Sequence, residues 1–164
     1  MRWGHDTMRK NDVRQQVSTA LSAAKAKKAE EITILQLGSE SSTFTDYFLI
    51  CNGGNPRQVQ AIADEIDDQL SKEGLEPNHR EGYEQAEWVL LDYVDFVVHI
   101  FSRKSRGFYD LERLWKSAKH LTESDLKAPA RTRVAAKKKA APKTTAAKKT
   151  AKRTPARASK KRAR

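Results

Sequence analysis

Apolar residues in the first part of the chain recur with a helical period. Between Asp12 and Ala29 they return every three or four residues, which predicts an amphipathic helix with Asp12 as its N-cap. A second helix is predicted to begin at Pro56 and to end before Gly74. The apolar stripes of the two helices are Val13, Val17, Leu21 and Ala24, then Val59, Ile62, Ala63, Ile66 and Leu70.

Shorter apolar runs predict the strands of a sheet. The four runs are Ile32–Leu37, Asp46–Cys51, Trp88–Asp92 and Phe96–Phe101. The second run is apolar almost throughout, so we expect that strand to be buried on both faces. Only Tyr93–Asp95 separates the last two runs, which favours an antiparallel hairpin.

The segment after the hairpin is predicted to contain a loop and a helix. Ser102–Arg106 is basic and is interpreted as the loop. A short amphipathic helix then runs towards Leu121, and its apolar positions are Tyr109, Leu111, Leu114 and Trp115. The order of elements, with one further strand allowed before the hairpin, predicts an α/β fold. We expect a mixed sheet of about five strands with flanking helices.

Charge divides the chain into two unlike parts. Lys127–Arg164 contains 16 Lys or Arg and no acid, whereas Met1–Leu126 contains 16 basic and 21 acidic residues. The tail therefore carries +16 and the body −5, which together give the net +11. This division predicts a folded acidic body with a basic arm rather than a uniformly basic protein.

The basic tail is predicted to be disordered. It is rich in Lys, Ala and Pro, and too poor in large apolar residues to offset an ordering cost of about 1–2 kcal/mol per residue. We divide the chain into a disordered N-terminus (1–11), a domain (12–124) and the tail (125–164). Phosphate binding by the tail and a merely solvated extension are equally favoured. The clustered cations are Lys137, Lys138, Lys139, Lys148, Lys149, Lys160, Lys161 and Arg162.

No arrangement of residues predicts catalysis, a metal site or a cofactor. Cys51 is the single cysteine and lies in an apolar run, so a buried core thiol is the favoured interpretation. The four histidines lack metal-ligand spacing, and His99 alternates with core residues of a strand, as a packed histidine would. Asp92 and Asp95 flank a tight turn, where Asp commonly bonds the local backbone.

Recognition of a partner is better supported. Trp88, Tyr109, Leu111 and Trp115 are large groups near predicted element ends, and acidic residues surround them. Aromatic anchors provide much of the energy of protein interfaces, and acids favour a basic partner. The alternative for each aromatic residue is ordinary core packing. The acids are Glu81, Glu84, Glu87, Asp110 and Glu112.

Nothing in the sequence predicts secretion or a membrane. No stretch approaches the about 20 apolar residues that span a bilayer, and Met1–Asp12 lacks the apolar core of a signal peptide. We expect a cytoplasmic protein whose start is Met1 or Met8.

Several segments resemble the ribosomal silencing factor (RsfS/iojap) family, in the family's order, from about Val13 to Leu121. Each block is a weak signal, but the ordered set is specific. The blocks are Lys27–Leu37, Thr45–Cys51, Arg57–Asp64, Glu81–Gly82 with Trp88–Asp92, Val97–Phe101 and Tyr109–Trp115. Asn55-Pro56 departs from the family's small hydroxyl residues, and the tail lies outside the pattern.

The resemblance implies a nucleotidyltransferase-like fold without that activity. In agreement, Asp46 is followed by Tyr47 and Phe48, so the paired carboxylates of a two-metal site are absent. The family implies a translational repressor that binds ribosomal protein fourteen of the large subunit, blocks subunit joining when nutrients are short, and forms a homodimer when free.

The contact surface carried over from the family comprises Trp88, Tyr109, Leu111 and Glu112, with Asp110 and Trp115 as neighbours. We expect structural roles for Arg57, Asp92 and His99. The alternatives are a nucleotidyltransferase-like enzyme, which the missing acidic pair disfavours, and a DNA-binding protein, which suits the tail but not the acidic body.

Overall fold

The computed structural model describes residues 3–38 and 45–128, without the side chains of residues 3–8 and 10. Five helices and six strands occur in these residues. In chain order they are α1 (Trp3–Ala26), β1 (Glu30–Gln36), β2 (Tyr47–Gly53), α2 (Pro56–Lys72), β3 (His79–Glu81), β4 (Trp88–Asp92), β5 (Phe96–Ser102), α3 (Arg103–Tyr109), α4 (Leu111–Leu114), β6 (Lys119–Leu121) and α5 (Glu123–Lys127).

The strands form one mixed sheet in the order β3-β4-β5-β2-β1-β6. β2 and β5 are parallel, with Ile50 opposite His99, and every other neighbouring pair is antiparallel. All seven residues of β2 are buried, which confirms the prediction of a strand covered on both faces. The predicted hairpin of β4 and β5 and the mixed α/β fold are also confirmed.

Each face of the sheet has its own apolar core, because alternate residues of a strand point to opposite faces. Leu49 and Cys51 of β2 face a core that also contains the apolar stripes of α1 and α2. Phe48 and Ile50 face a second, smaller core that includes Leu111 of α4. Helices α3 and α4 therefore lie on the side of the sheet opposite α1 and α2.

The start of α2 accounts for Asn55-Pro56. The Asn55 side chain caps the helix by accepting a hydrogen bond from the Gln58 backbone N–H at 2.9 Å, and Pro56 occupies the first turn, where no donor is needed. The Gln58 side chain donates to the carbonyls of Lys27 and Lys28, which ties this helix start to the α1–β1 turn.

Three predicted boundaries are wrong. α1 begins at Trp3 rather than after a cap at Asp12, since residues 5–11 contain neither Gly nor Pro to stop a helix. The predicted loop Ser102–Arg106 instead starts α3, because the Ser102 hydroxyl caps that helix. The last predicted helix ends at Leu114, and Lys119–Leu121 pairs with β1 as β6. The division of the chain at residues 12 and 125 stays a prediction.

Candidate docking surface

A row of aromatic rings crosses the second face of the sheet. The Trp88 ring lies 5.1 Å from Phe101 and 4.6 Å from Tyr109, measured between centroids. At the other end, Phe48 meets His99 edge-on at 4.8 Å and Trp115 edge-on at 5.5 Å. Because Trp88 and Trp115 are only half-buried, the row joins the second core to the surface.

His99 holds the indole of Trp88. The Trp88 Nε1–H donates to His99 Nδ1 at 3.1 Å, and the imidazole is only 5% exposed. Burial lowers the pKa of His99 to about 4, so the ring is neutral at pH 7 and can accept this bond. Within the described residues, His99 Nε2 has no hydrogen-bond partner. The prediction of a packed, hydrogen-bonded histidine is confirmed.

The turn before β4 sets the position of Trp88. Gly82 has φ +74°, and a Cβ on it would lie 1.9 Å from the Trp88 carbonyl oxygen. Glu87, the residue before Trp88, accepts hydrogen bonds from the hydroxyls of Ser102 and Ser105, both at 2.8 Å. Both hydrogen bonds, the one from Ser105 more than the one from Ser102, hold the pKa of Glu87 below its ordinary value. These contacts connect the start of β4 to the end of β5 and the start of α3.

A single left-handed residue, Asp110 (φ 41°, ψ 59°), separates α3 from α4. The break lets Leu111 turn into the second core, while the large apolar residues Phe108, Tyr109 and Leu114 remain outside it. Phe108 is 80% exposed, Tyr109 44% and Leu114 73%. The α3–α4 corner (residues 103–117) therefore presents large apolar groups to solvent.

Glu112 points inward. It forms an ion pair with Arg106, whose side chain is buried and also bonds Asn52 Oδ1 at 3.4 Å and Thr33 Oγ1 at 3.3 Å. Arg106 thus connects α3 to β1, β2 and α4. A carboxylate in this position neutralises a buried guanidinium, and much of its bonding capacity is already used inside the protein.

The predicted contact residues consequently fall into two groups. Trp88, Tyr109 and Trp115 lie along the aromatic row, whereas Leu111 is buried and Glu112 pairs with Arg106. Asp110 is exposed at the break between the helices. Their role as contacts stays a prediction. Sequence reasoning missed Phe108 and Leu114: Phe108 preceded the predicted helix start, and Leu114 was assigned to that helix's apolar stripe.

The rim of this surface is acidic on one side and basic on the other. Glu81 lies opposite Leu90 in the β3–β4 register, on the Trp88 face of the sheet, and Glu84 is exposed in the following turn. On the α3–α4 corner the exposed charges are mainly Lys104, Arg113 and Lys116. The prediction of an aromatic cluster ringed by acids thus describes the β3–β4 side and Asp110, but not the rest of the corner.

Other residues considered from the sequence have structural positions. Asp92 Oδ1 accepts from the Val94 N–H at 2.8 Å, and Asp95 pairs with Arg9 at 3.1 Å, so the turn interpretation of this carboxylate pair is confirmed. Cys51 is fully buried, and burial raises the pKa of its thiol to about 12. Arg57 is exposed at the first turn of α2. The tail cations lie outside the described residues.

The described residues contain neither a metal-binding cluster nor a helix suited to a membrane. In residues 3–38 and 45–128, no three His, Cys, Asp or Glu side chains are grouped as a metal ion would require. None of the helices in this part of the chain combines the length and apolar character of a bilayer-spanning segment.

Residues 10–157 match the model of a protein family described as "Ribosomal silencing factor during starvation". The chain belongs to the ribosomal silencing factor (RsfS) family. It is 46% identical over 99 residues to the ribosomal silencing factors of Halalkalibacterium halodurans and Bacillus subtilis, a span that covers 60% of this chain and 84% and 83% of those proteins. It also resembles the chloroplastic protein Iojap of Zea mays, with 33% identity over 122 residues, which are 68% of this chain and 50% of that protein.

Solved structures agree with the RsfS assignment. A crystal structure from Bacillus halodurans superimposes with a TM-score of 0.59 at 41% identity, covering 66% of this chain and 97% of that one. A second, from Chromobacterium violaceum, has a TM-score of 0.60 at 31% identity, covering 62% and 84%. The family membership that the sequence resemblance implied is therefore confirmed.

Proposed function

We propose that this RsfS-family protein docks on the large ribosomal subunit through ribosomal protein fourteen and sterically blocks joining of the small subunit. The observation that carries this proposal is the exposed end of the aromatic row, where Trp88 and Tyr109 lie beside exposed acids. Large aromatic groups act as interface anchors, and carboxylates steer a basic ribosomal protein towards them.

The anchors are already held in place before any partner binds. His99 fixes the Trp88 indole, and the ring of Tyr109 packs against it. A rigid aromatic surface loses little side-chain entropy on binding, so more of its contact energy contributes to affinity. Asp110 is exposed beside Tyr109 and supplies a carboxylate to the same contact.

Repression in this proposal is obstruction rather than chemistry. A domain seated near the subunit interface excludes the small subunit by its volume, so translation falls under nutrient limitation without covalent change. A homodimer of the free protein would use the same region and compete with docking. This function requires no metal, cofactor or catalytic residue.

The docking proposal predicts that Trp88→Ala and Tyr109→Ala weaken binding to purified large subunits by about 2–4 kcal/mol each. Cosedimentation and binding to isolated ribosomal protein fourteen measure this loss. Val94→Ala is the matched control, because Val94 is 47% exposed at the β4–β5 turn, at the opposite end of β4 from Trp88. Folded Trp88 and Tyr109 variants that bind as tightly as wild type would show that the surface is elsewhere.

Obstruction has its own assay. Saturating wild-type protein should reduce the amount of joined ribosomes formed from purified subunits, while Trp88→Ala at the same concentration should not. Subunits that join normally while carrying the bound wild-type protein would contradict the steric mechanism and leave docking intact.

We also propose that the basic tail contributes non-specific contacts to ribosomal RNA next to the docking site. Its charge of +16 in Lys127–Arg164 supports this contribution, because phosphate neutralisation releases counterions and strengthens binding at low salt.

A further inference from the structure

Docking on a basic protein does not explain the exposed cations of the α3–α4 corner. Lys104, Arg113 and Lys116 are exposed, and within the described residues none of them forms an ion pair or donates a hydrogen bond. The other two cations of the corner are engaged, Arg103 by Glu30 and Arg106 by Glu112. Three available cations on one corner of an acidic body form a local positive patch.

An exposed ring lies within this patch. Lys104 and Phe108 are four residues apart on α3, so their side chains share one face, and Ser105 and Arg106 face inward. Phe108 is 80% exposed and meets the Tyr109 ring edge-on, at 5.1 Å between centroids. Arg113 and Leu114 follow on the outer side of α4, where the inward residue is Leu111.

We propose that the α3–α4 corner contacts ribosomal RNA, with Phe108 stacked on an unpaired base and Lys104, Arg113 and Lys116 against backbone phosphates. An exposed aromatic ring flanked by available cations is the combination that binds single-stranded nucleic acid. A basic protein partner would be repelled by the same cations. The inference rests on the proposed function, since it assigns RNA to one part of the surface and ribosomal protein fourteen to the other.

Tyr109 connects the proposed protein contact to the proposed RNA contact. Tyr109 contacts both Trp88 of β4, at 4.6 Å, and Phe108 of α3, at 5.1 Å between centroids, so its ring joins the anchor on the sheet to the exposed ring of the corner. One seated domain would therefore touch a protein and an RNA segment at once. Such two-point attachment strengthens binding to the assembled subunit relative to the isolated protein.

The test uses the full chain carrying Lys104→Gln, Arg113→Gln and Lys116→Gln together. Affinity for purified large subunits, measured over a range of salt concentrations, should fall. The slope of log affinity against log salt concentration should become shallower by about 2–3, because each lost phosphate contact removes about 0.7–0.9 from it. Affinity for isolated ribosomal protein fourteen should stay unchanged. The charge-matched control replaces Lys28, Lys72 and Lys119 by Gln, all exposed and outside both the corner and the tail, and should leave the slope unchanged.

Phe108 tests the stacking contact separately. Phe108→Ala should weaken binding to large subunits by about tenfold, Phe108→Trp should restore it, and neither should alter binding to ribosomal protein fourteen. If Phe108→Ala weakens binding to isolated ribosomal protein fourteen as much as binding to large subunits, the corner contacts a protein. If the triple variant leaves the salt slope unchanged, the phosphate contacts are excluded. Either result overturns the inference. If wild type fails to bind ribosomal protein fourteen but the triple variant still flattens the slope, the RNA contact stands and the proposed protein partner is wrong.

Discussion

Trp88 is at once a core residue and a surface residue. Its ring packs on Phe101 and Tyr109, its Nε1–H is satisfied by the buried His99, and the remaining part is open to solvent. A neutral imidazole is essential to this arrangement, because a protonated Nδ1 could no longer accept the indole hydrogen bond. The state of the exposed anchor thus depends on a residue that a partner never touches.

The His99 pKa predicts how stability depends on pH. It is about 4 in the folded state against about 6.5 unfolded, so the unfolded chain binds more protons between these values. The stabilising contribution is complete above about pH 6.5 and is lost as the pH falls towards 4. We expect the free energy of unfolding, measured with urea, to drop by about 2 kcal/mol between about pH 7.5 and pH 5.

The control for this pH dependence is His99→Phe. It keeps a ring in the aromatic row but cannot titrate, so its stability should change by less than about 0.5 kcal/mol over the same pH interval, whatever its absolute value. The carboxylates with lowered pKa values, such as Glu123 at about 2, titrate below this interval. An unchanged pH slope in His99→Phe would mean that another group carries the linkage.

Sequence patterns predicted which side chains are buried better than they predicted which side chains bond to each other. The alternation of Val97, His99 and Phe101 indicated a buried histidine correctly, because strand periodicity alone determines which side chains share a face. The predicted hairpin places Trp88 and His99 on neighbouring strands but does not determine their side-chain hydrogen bond, and the Arg106–Glu112 pair forms across a helix break that the sequence did not indicate. The exposure of Phe108 depends on the break at Asp110, which no local pattern indicated.

Among the elements, α3 and α4 depend on one ion pair. Glu112→Ala would leave the buried Arg106 guanidinium without its counter-charge, and we expect it to lower the free energy of unfolding by about 3 kcal/mol. Glu84→Ala, at an exposed acid, should cost less than about 0.5 kcal/mol. A Glu112→Ala protein with wild-type stability but weaker docking would instead make Glu112 a direct contact.

Gly82 controls how β4 begins. Gly82→Ala would place a Cβ on the Trp88 carbonyl in a left-handed backbone, so we expect it to cost more than about 2 kcal/mol in unfolding experiments and to weaken docking. Gly74→Ala has a similar φ of +81° with open space around it, and should cost only about 1 kcal/mol with docking unchanged. Equal costs at the two positions would show that backbone conformation, and not the close approach to Trp88, is responsible.

Element predictions succeeded where the apolar pattern was long and failed where tertiary contacts decide. The stripe of α2 and the apolar run of β2 were sufficient to identify them. β3 and β6 have three residues each, and all but Leu121 are exposed, so only pairing with β4 and β1 makes them strands. The same pairing ends the last predicted helix early.

At the scale of the whole molecule, the described domain closes just before the tail. Leu126 of α5 is buried in the first core, and Arg14 donates to the carbonyls of Asp125 and Ala128. Thr122 and Asp125 form a capping box that starts α5. These contacts hold residues 122–128 to the domain, and nearly all of the tail's charge comes after them in the sequence.

Truncation separates the two parts. A chain ending at Ala128 keeps α5, so its unfolding temperature should match wild type, its docking on large subunits should persist, and its affinity should fall less steeply with salt.

A chain ending at Leu121 loses Leu126 and the Lys25–Glu123 ion pair, and should unfold at a temperature several degrees lower, since about 2 kcal/mol is lost with a buried leucine. Thermal unfolding and cosedimentation at two salt concentrations distinguish these effects. If the Ala128 truncation binds with the full wild-type salt dependence, the tail contributes no phosphate contacts, and the steepness arises in the domain, where Lys104, Arg113 and Lys116 are exposed.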